Sequence, residues 1–242
     1  MAEAPTAAIL VIGDEILSGR TKDKNIGFIA DTLTDIGIDL EEVRIVADRE
    51  AAIVEAIRAL SERYDFVLTS GGIGPTHDDI TADSVAKAFG VPIDVDPRAA
   101  ELLIAFWQGR GIEPNESRMR MARIPEGAAL IPNSVSVAPG FRIRNVFVMA
   151  GVPAILQAMM DEVVKVLPAS RPVFSETIEA HRPEGDVALP AREVQAGHPE
   201  VRIGSYPYHD GERFTTRLVL RSRDAVALAA AVAAINAALK KV

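Results

Sequence analysis

Two acidic pairs with glycines beside them, Asp14-Glu15 and Asp78-Asp79, are the residues best suited to chemistry. The second pair lies in the stretch Thr69-Ser-Gly-Gly-Ile-Gly-Pro-Thr-His-Asp-Asp-Ile-Thr81. There Gly71, Gly72 and Gly74 let the backbone turn tightly and let a ligand approach the main chain closely. Pro75 and the hydroxyls of Thr69, Ser70 and Thr76 stand among them. A helix expected from Thr81 to Phe89 adds unpaired N–H groups and the positive end of its dipole, which suit an anion such as phosphate. Asp78 and Asp79 would repel that anion unless a cation lay between them. A divalent metal, Mg²⁺ first and Mn²⁺ or Co²⁺ as alternatives, answers that need. The competing reading is a strand-to-helix turn with an Asp cap. The crowding of glycines, hydroxyls and carboxylates favours the site. No Gly-Lys-Ser/Thr follows, so the stretch is not a Walker A loop, and it lacks the Gly-x-Gly-x-x-Gly spacing of a dinucleotide fold.

The first pair follows Ala7–Ile12, a continuous apolar run expected to form a strand covered on both faces. Gly13, Asp14 and Glu15 therefore fall just past a strand's carboxyl end, where open α/β sheets bind ligands. A polar turn with Asp14 bonding its own backbone explains them equally well. Asn25–Ile36 reads as a helix, with Ile26, Ile29, Ala30 and Leu33 on one face and Gly37 as its stop. Asn25 either caps this helix or reaches into the site, and capping is the commoner role. A strand over Ile38–Val46, a helix from Asp48 and a strand over Asp65–Leu68 complete the alternation of a doubly wound parallel sheet.

Beyond Phe89 a short strand is expected at Val91–Val95 and a helix from Pro97 to about Arg110, with Trp107 filling core. Asn115 can cap a short helix bearing Arg118, Arg120 and Arg123. These arginines could meet phosphates, or could be a solvated face paired with acidic neighbours. Asn133–Phe141 reads as a polar loop, and Val146–Met149 as another apolar strand. Ala150-Gly-Val-Pro153 then leads into a helix over Ala154–Leu167, a second junction whose N–H groups could face an anion. Junction geometry alone explains Gly151 and Pro153 as well. His77 could act as a base, although a lone histidine is more often structural or exposed.

Pro168–Pro172 reads as a boundary between an α/β domain, residues 1–168, and a small α+β domain, residues 169–242. The latter reads strand, helix, strand, strand, helix, with Asp210-Gly211 as a hairpin turn. The same order occurs in nucleic-acid-binding modules. Without a Gly-x-x-Gly clamp loop, and with nearly balanced charge, a packing or oligomerisation module is expected instead.

The whole chain of 242 residues is 48% hydrophobic, enough for a sizeable core. A net charge of −8 argues against a general nucleic-acid binder. The absence of cysteine excludes disulfides and thiolate metal sites. No signal-peptide pattern and no apolar run near the roughly 20 residues of a membrane helix are present, so a cytoplasmic protein is expected.

Gly13-Asp-Glu-Ile16 together with Thr69–Thr81 resembles the molybdopterin-binding fold of molybdenum-cofactor enzymes. Ala138-Pro-Gly-Phe141, Gly151-Val-Pro153, Glu184-Gly-Asp186 and Ile203-Gly-Ser-Tyr-Pro207 narrow the likeness to the N-terminal region of competence/damage-inducible protein A (CinA). The chain is also similar to the molybdopterin-binding-like domain of eukaryotic FAD synthases. The resemblance implies a three-layer α/β/α sandwich with a mostly parallel sheet, followed by a small βαββα domain. It implies a ligand across the strand ends, touching the Gly13 and Thr69–Thr81 loops, with Pro139, Gly140, Gly151 and Pro153 nearby. It implies metal-dependent pyrophosphatase activity on ADP-ribose or FAD. On that reading Asp78, Asp79 and Asp14 hold the metal, and Asp14 or Glu15 orients the attacking water. Molybdopterin binding or adenylyl transfer with ATP and Mg²⁺, or nucleotide binding without turnover, are the alternatives. The resemblance further implies a homo-oligomer with a nucleotide or pterin partner, and neither nucleic acid nor membrane. With the chain ending at Val242, the deamidase domain of CinA is expected to be absent. At Ala150 the sequence departs from the family, which usually has Pro before the glycine.

Overall fold

The computed structural model describes residues 4–241. They form two compact units that divide after Ser170. The first unit opens with β1 (Thr6–Ile12), α1 (Asp14–Leu17), α2 (Asn25–Asp35), β2 (Asp39–Val46), α3 (Glu50–Arg63), β3 (Phe66–Ser70) and α4 (Thr81–Phe89). It continues through β4 (Ile93–Val95), α5 (Pro97–Gln108), α6 (Glu116–Met119), a 3₁₀ turn (Arg120–Ala122) and β5 (Arg123–Pro125). It closes with β6 (Ala129–Ile131), β7 (Gly140–Ile143), β8 (Val146–Met149) and α7 (Pro153–Val164).

Six strands make the main sheet in the order β2-β1-β3-β8-β7-β6. β1 pairs in parallel with β2 and β3, and β3 with β8, while β7 runs antiparallel to both β6 and β8. The apolar run of β1 has its cause in this central place. Ala8, Leu10 and Ile12 face a core with Ile53, Ile57 and Leu60 of α3 and Val85 of α4. Ala7, Ile9 and Val11 face a second core with Ile29 and Leu33 of α2 and Leu156, Met159 and Met160 of α7. A strand buried on both faces has no solvent side to mark with polar residues. The result is the expected three-layer α/β/α sandwich. Trp107 is core filler, packed against the α3–α4 side.

Three short elements depart from the sequence reading. Asp14–Leu17 is one helical turn and not an open loop. Arg123–Pro125 is a strand, paired antiparallel with β4. Phe141 belongs to β7 and not to a loop, and Gly140 begins that strand. A Cβ on Gly140 would lie 2.3 Å from the Val148 carbonyl, so the glycine there is required by the close approach of β8.

In the second unit, β9 (Phe174–Glu179), α8 (Glu184–Gly197), β10 (Arg202–His209), β11 (Phe214–Ser222) and α9 (Ala225–Leu239) follow in the expected order. The antiparallel sheet runs β10-β11-β9. Leu218 and Leu220 of β11 meet Val187 of α8 and Leu228 and Ile235 of α9. Asp224 caps α9 by accepting from the N–H groups of Val226 and Ala227. Among the described residues no helix is long and apolar enough to cross a membrane.

Candidate functional site

The loops after β1, β2, β3 and β8 share one end of the sheet, since these four strands are parallel. The loop after β3 is held by its glycines. Gly71 has φ +113° and Gly72 φ +69°. A Cβ on Gly71 would stand 2.1 Å from the Ile12 carbonyl, and one on Gly72 2.1 Å from Thr81 Oγ1. Thr81 fastens the turn from the far side: its N–H donates to the Gly72 carbonyl and its hydroxyl to the Gly71 carbonyl, each at 3.0 Å. The Gly71 N–H is used by the Met149 carbonyl. The N–H groups of Gly72, Ile73 and Gly74 have no acceptor among the described residues. Three consecutive free N–H groups in the loop after β3 form an anion-seeking patch.

The hydroxyls serve the loop more than a ligand. Thr69 is fully buried with its Oγ1 unpartnered, and Ser70 is buried and bonded to Asn25. Thr69 and Ser70 therefore do not present hydroxyls at the surface, because β3 is covered on both faces. Thr76 turns inward: its N–H donates to Asp79 Oδ2 at 2.8 Å, and its hydroxyl lies 2.5 Å from both Asp78 Oδ1 and Asp79 Oδ2. That hydroxyl bond, first among several causes, holds the Asp78 carboxyl below its ordinary range. Pro75 and His77 are exposed.

Asp14 and Glu15 open α1, and a Cβ on Gly13 would collide with the Glu15 carboxylate at 2.6 Å. Gly74 stands in the same relation to Asp79, at 2.6 Å. The structure adds Asp48, which lies after β2 and which the sequence offered only as a helix start. Its Oδ2 accepts from the Asp14 N–H at 2.8 Å. Burial raises the Asp48 carboxyl above its ordinary range, and the charges of Asp14, Glu15 and Asp78 push it further up, against that backbone bond. The charges of carboxylates on two other loops thus bear on Asp48.

Asn25 does not cap α2. Asp23 does so, accepting from the N–H groups of Asn25 and Ile26. The Asn25 side chain is buried, and its Nδ2 donates to Ser70 Oγ and to the Gly151 carbonyl, each at 2.8 Å. It ties the end of β3 to the junction after β8. A Cβ on Gly151 would sit 3.3 Å from Gly71 Cα, so the two loops approach glycine to glycine. Pro153 begins α7. The Ala150 N–H donates to Met159 Sδ at 3.4 Å, a bond a proline could not make.

Pro139 borders a cavity of about 10 Å³ beside Gly72, Gly74, Asp79 and Arg120. Gly140 does not line it; its place is against β8. Of the arginines, Arg123 pairs with Asp83 at 2.5 Å, and Arg118 donates to the Glu113 carbonyl. Arg120 donates from Nη2 to the Asp79 carbonyl at 3.2 Å.

The donor chemistry suits a hard divalent cation, since every candidate ligand is a carboxylate oxygen. Asp14, Glu15, Asp48 and Asp78 have no lysine or arginine ion pair among the described residues to relieve their repulsion. Among the described residues no three His, Asp or Glu side chains converge as a ready ligand set. Mg²⁺ does not need one, because it commonly takes one or two carboxylates and completes its shell with water and substrate phosphate.

Fold and site together define an α/β protein with a glycine loop and clustered carboxylates at the carboxyl ends of parallel strands. The chain belongs to the family of probable molybdopterin-binding domains, whose model matches residues 8–169. Residues 172–242 match the middle domain of FAD synthase. A CinA-like protein of Myxococcus xanthus is 31% identical over 81% of this chain and 50% of its own length. A probable FAD synthase of Caenorhabditis briggsae is 30% identical over 93% of this chain and 48% of its own. The chain thus spans about half the length of each of these two relatives. The crystal structure of CinA from Thermoplasma acidophilum, described as of unknown function, is 33% identical with a TM-score of 0.62. That match covers 67% of this chain and 97% of that one.

Proposed function

We propose that the protein is a metal-dependent nucleotide pyrophosphatase acting on ADP-ribose or FAD. One observation carries the reading: three free backbone N–H groups, of Gly72, Ile73 and Gly74, stand on the loop that also bears Asp78 and Asp79. An anion site beside carboxylates suits a ligand whose phosphates arrive with a cation. The FAD synthase match over residues 172–242 and the likeness to a probable FAD synthase support a nucleotide ligand.

Hydrolysis breaks the bond between one phosphorus and the oxygen bridging the two phosphates. A water oxygen takes that place on phosphorus, and the water gives up a proton. ADP-ribose yields AMP and ribose 5-phosphate; FAD yields AMP and FMN. The free N–H groups would hold phosphate oxygens, an arrangement that needs no reorganisation as charge shifts. One or two of the carboxylates Asp78, Asp79 and Asp14 would hold the divalent ion, which when bound neutralises phosphate charge. Asp14 or Glu15 would orient the water and accept its proton. Asp48 would keep Asp14 in place through the Asp14 N–H.

The second reading is molybdopterin binding, with or without adenylyl transfer, and the family model over residues 8–169 favours it. It draws on the same loop. The double variant Asp78→Ala with Asp79→Ala tests the hydrolase. Turnover should fall at least about a hundredfold while the fold is kept, because Asp78 is exposed and bonds only within its own loop. Wild-type turnover in that variant would remove both carboxylates from the reaction.

A further inference from the structure

Arg120 has no part in the reading above. It stands in the 3₁₀ turn after α6, half-buried. Its Nε is sealed from solvent and has no acceptor. Buried donors on a charged group are rarely left unpaired, so this atom marks a place for a partner. The neighbouring charges are already spent. Arg123 is paired with Asp83, while Arg120 has no carboxylate partner among the described residues. Its one bond, to the Asp79 carbonyl, fixes the guanidinium to the loop that carries the acidic pair.

Two spaces adjoin this side chain. The cavity of about 10 Å³ lies between Arg120 and the glycines Gly72 and Gly74. That is room for one water-sized group, such as a single phosphate oxygen. The other is an open hollow of about 600 Å³, bordered by Ile80, Val95 and Met119 together with the carboxylates Glu50 and Glu116. Apolar patches with carboxylates beside them suit a sugar and its hydroxyls.

We propose that Arg120 clamps the diphosphate of a two-ended substrate, with the hollow beyond it receiving the group at the diphosphate's other end. The inference rests on the reading of the glycine loop as a phosphate site. Arginine suits the task because its guanidinium is always charged and keeps donors free beside the one that bonds the Asp79 carbonyl. Inorganic phosphate or diphosphate would leave the hollow empty, so the arrangement favours a substrate that carries a group beyond its phosphates.

The test compares wild type with Arg120→Gln and Arg120→Lys in the full chain with Mg²⁺. Calorimetry follows binding of imidodiphosphate and of adenosine, and kinetics give KM and kcat for ADP-ribose. Gln loses the charge and places its amide at the level of the lost Nε, short of the Asp79 carbonyl. Its affinity for imidodiphosphate should drop about tenfold or more, with Lys intermediate and adenosine unchanged. In turnover the loss should appear chiefly in KM. Imidodiphosphate binding by Arg120→Gln at wild-type strength would overturn the clamp, and would leave the hydrolase reading intact if wild type still cleaves ADP-ribose. Wild type that cleaves neither ADP-ribose nor FAD, yet binds imidodiphosphate through Arg120, would overturn the hydrolase and keep the clamp. Equal losses for imidodiphosphate and adenosine would make Arg120 a general support of the loop and would also overturn the clamp.

Discussion

Asn25 offers a sharp quantitative test, because one buried amide joins two loops of the site. It is 5% exposed and donates two bonds of 2.8 Å, to Ser70 Oγ and the Gly151 carbonyl. Asn25→Ala removes both. Ser70 is 2% exposed, so its hydroxyl loses a partner that water cannot replace, at a cost of about 1–3 kcal/mol. Gly151 is exposed, and water can take over its carbonyl, which leaves about 0.5–1 kcal/mol there. A total of about 1.5–4 kcal/mol follows. For a unit of this size each kcal/mol lowers Tm by about 2–4 °C, so a fall of about 3–16 °C is expected. Asn25→Asp keeps the shape but turns donors into acceptors facing a carbonyl. It should cost more, about 3–5 kcal/mol near neutral pH, as an unpaired buried charge does. Burial would raise that new carboxyl's pKa in the folded state. Its penalty is therefore smallest in acid, grows as pH rises from the ordinary carboxylate range to the raised value, and levels off above it. Differential scanning calorimetry of the transition belonging to the unit ending at Ser170 gives both numbers. Asn25→Ala within about 0.5 kcal/mol of wild type would refute the bridge.

Gly71→Ala places a Cβ 2.1 Å from the Ile12 carbonyl at φ +113°. It should destabilise the larger unit by about 3 kcal/mol or more in chemical unfolding, and a neutral result would show that the turn has another shape. A side chain at Gly72 acts the same way, against Thr81, so it breaks the loop before it could block a ligand. The Glu42 carboxyl is held below its ordinary range by the Arg44 hydrogen bond first and by that of Tyr64 next. The stability it supplies is present above the ordinary carboxylate range and is lost as pH falls through the lowered value. Glu42→Gln should therefore be less stable at pH 7, with the gap closing in acid; a gap independent of pH would assign the loss to packing.

The sheet could be read from the sequence because its core strands leave no ambiguity. Val146–Met149 and Thr81–Phe89 have in the structure the limits that their apolar runs and stops imply. Short elements were less legible. β7 begins at Gly140, after Pro139, in a Pro-Gly stretch that reads locally as a loop, and only the pairing with β8 across the sheet makes it a strand. In the site, the glycine loop and its acidic pair stood out by composition. Asp48 did not, since one Asp before a helix looks like a cap. The signal was there in its place after β2, as with Asp14 after β1 and Asp78 after β3. Thr69 and Ser70 look available in the sequence, but a strand covered on both faces hides their hydroxyls. Nothing local distinguishes Arg120 from Arg118 and Arg123; their partners decide which charge stays unspent.

The central claim is that this site cleaves a phosphate–phosphate bridge, and product analysis tests it directly. Purified full chain would be incubated with Mg²⁺, Mn²⁺ or Co²⁺, with ADP-ribose and FAD offered in parallel, and the products separated by chromatography. The account predicts AMP with ribose 5-phosphate from ADP-ribose or AMP with FMN from FAD, and no products once EDTA removes the metal. Intact substrates with every metal, from protein that binds molybdopterin, would contradict it.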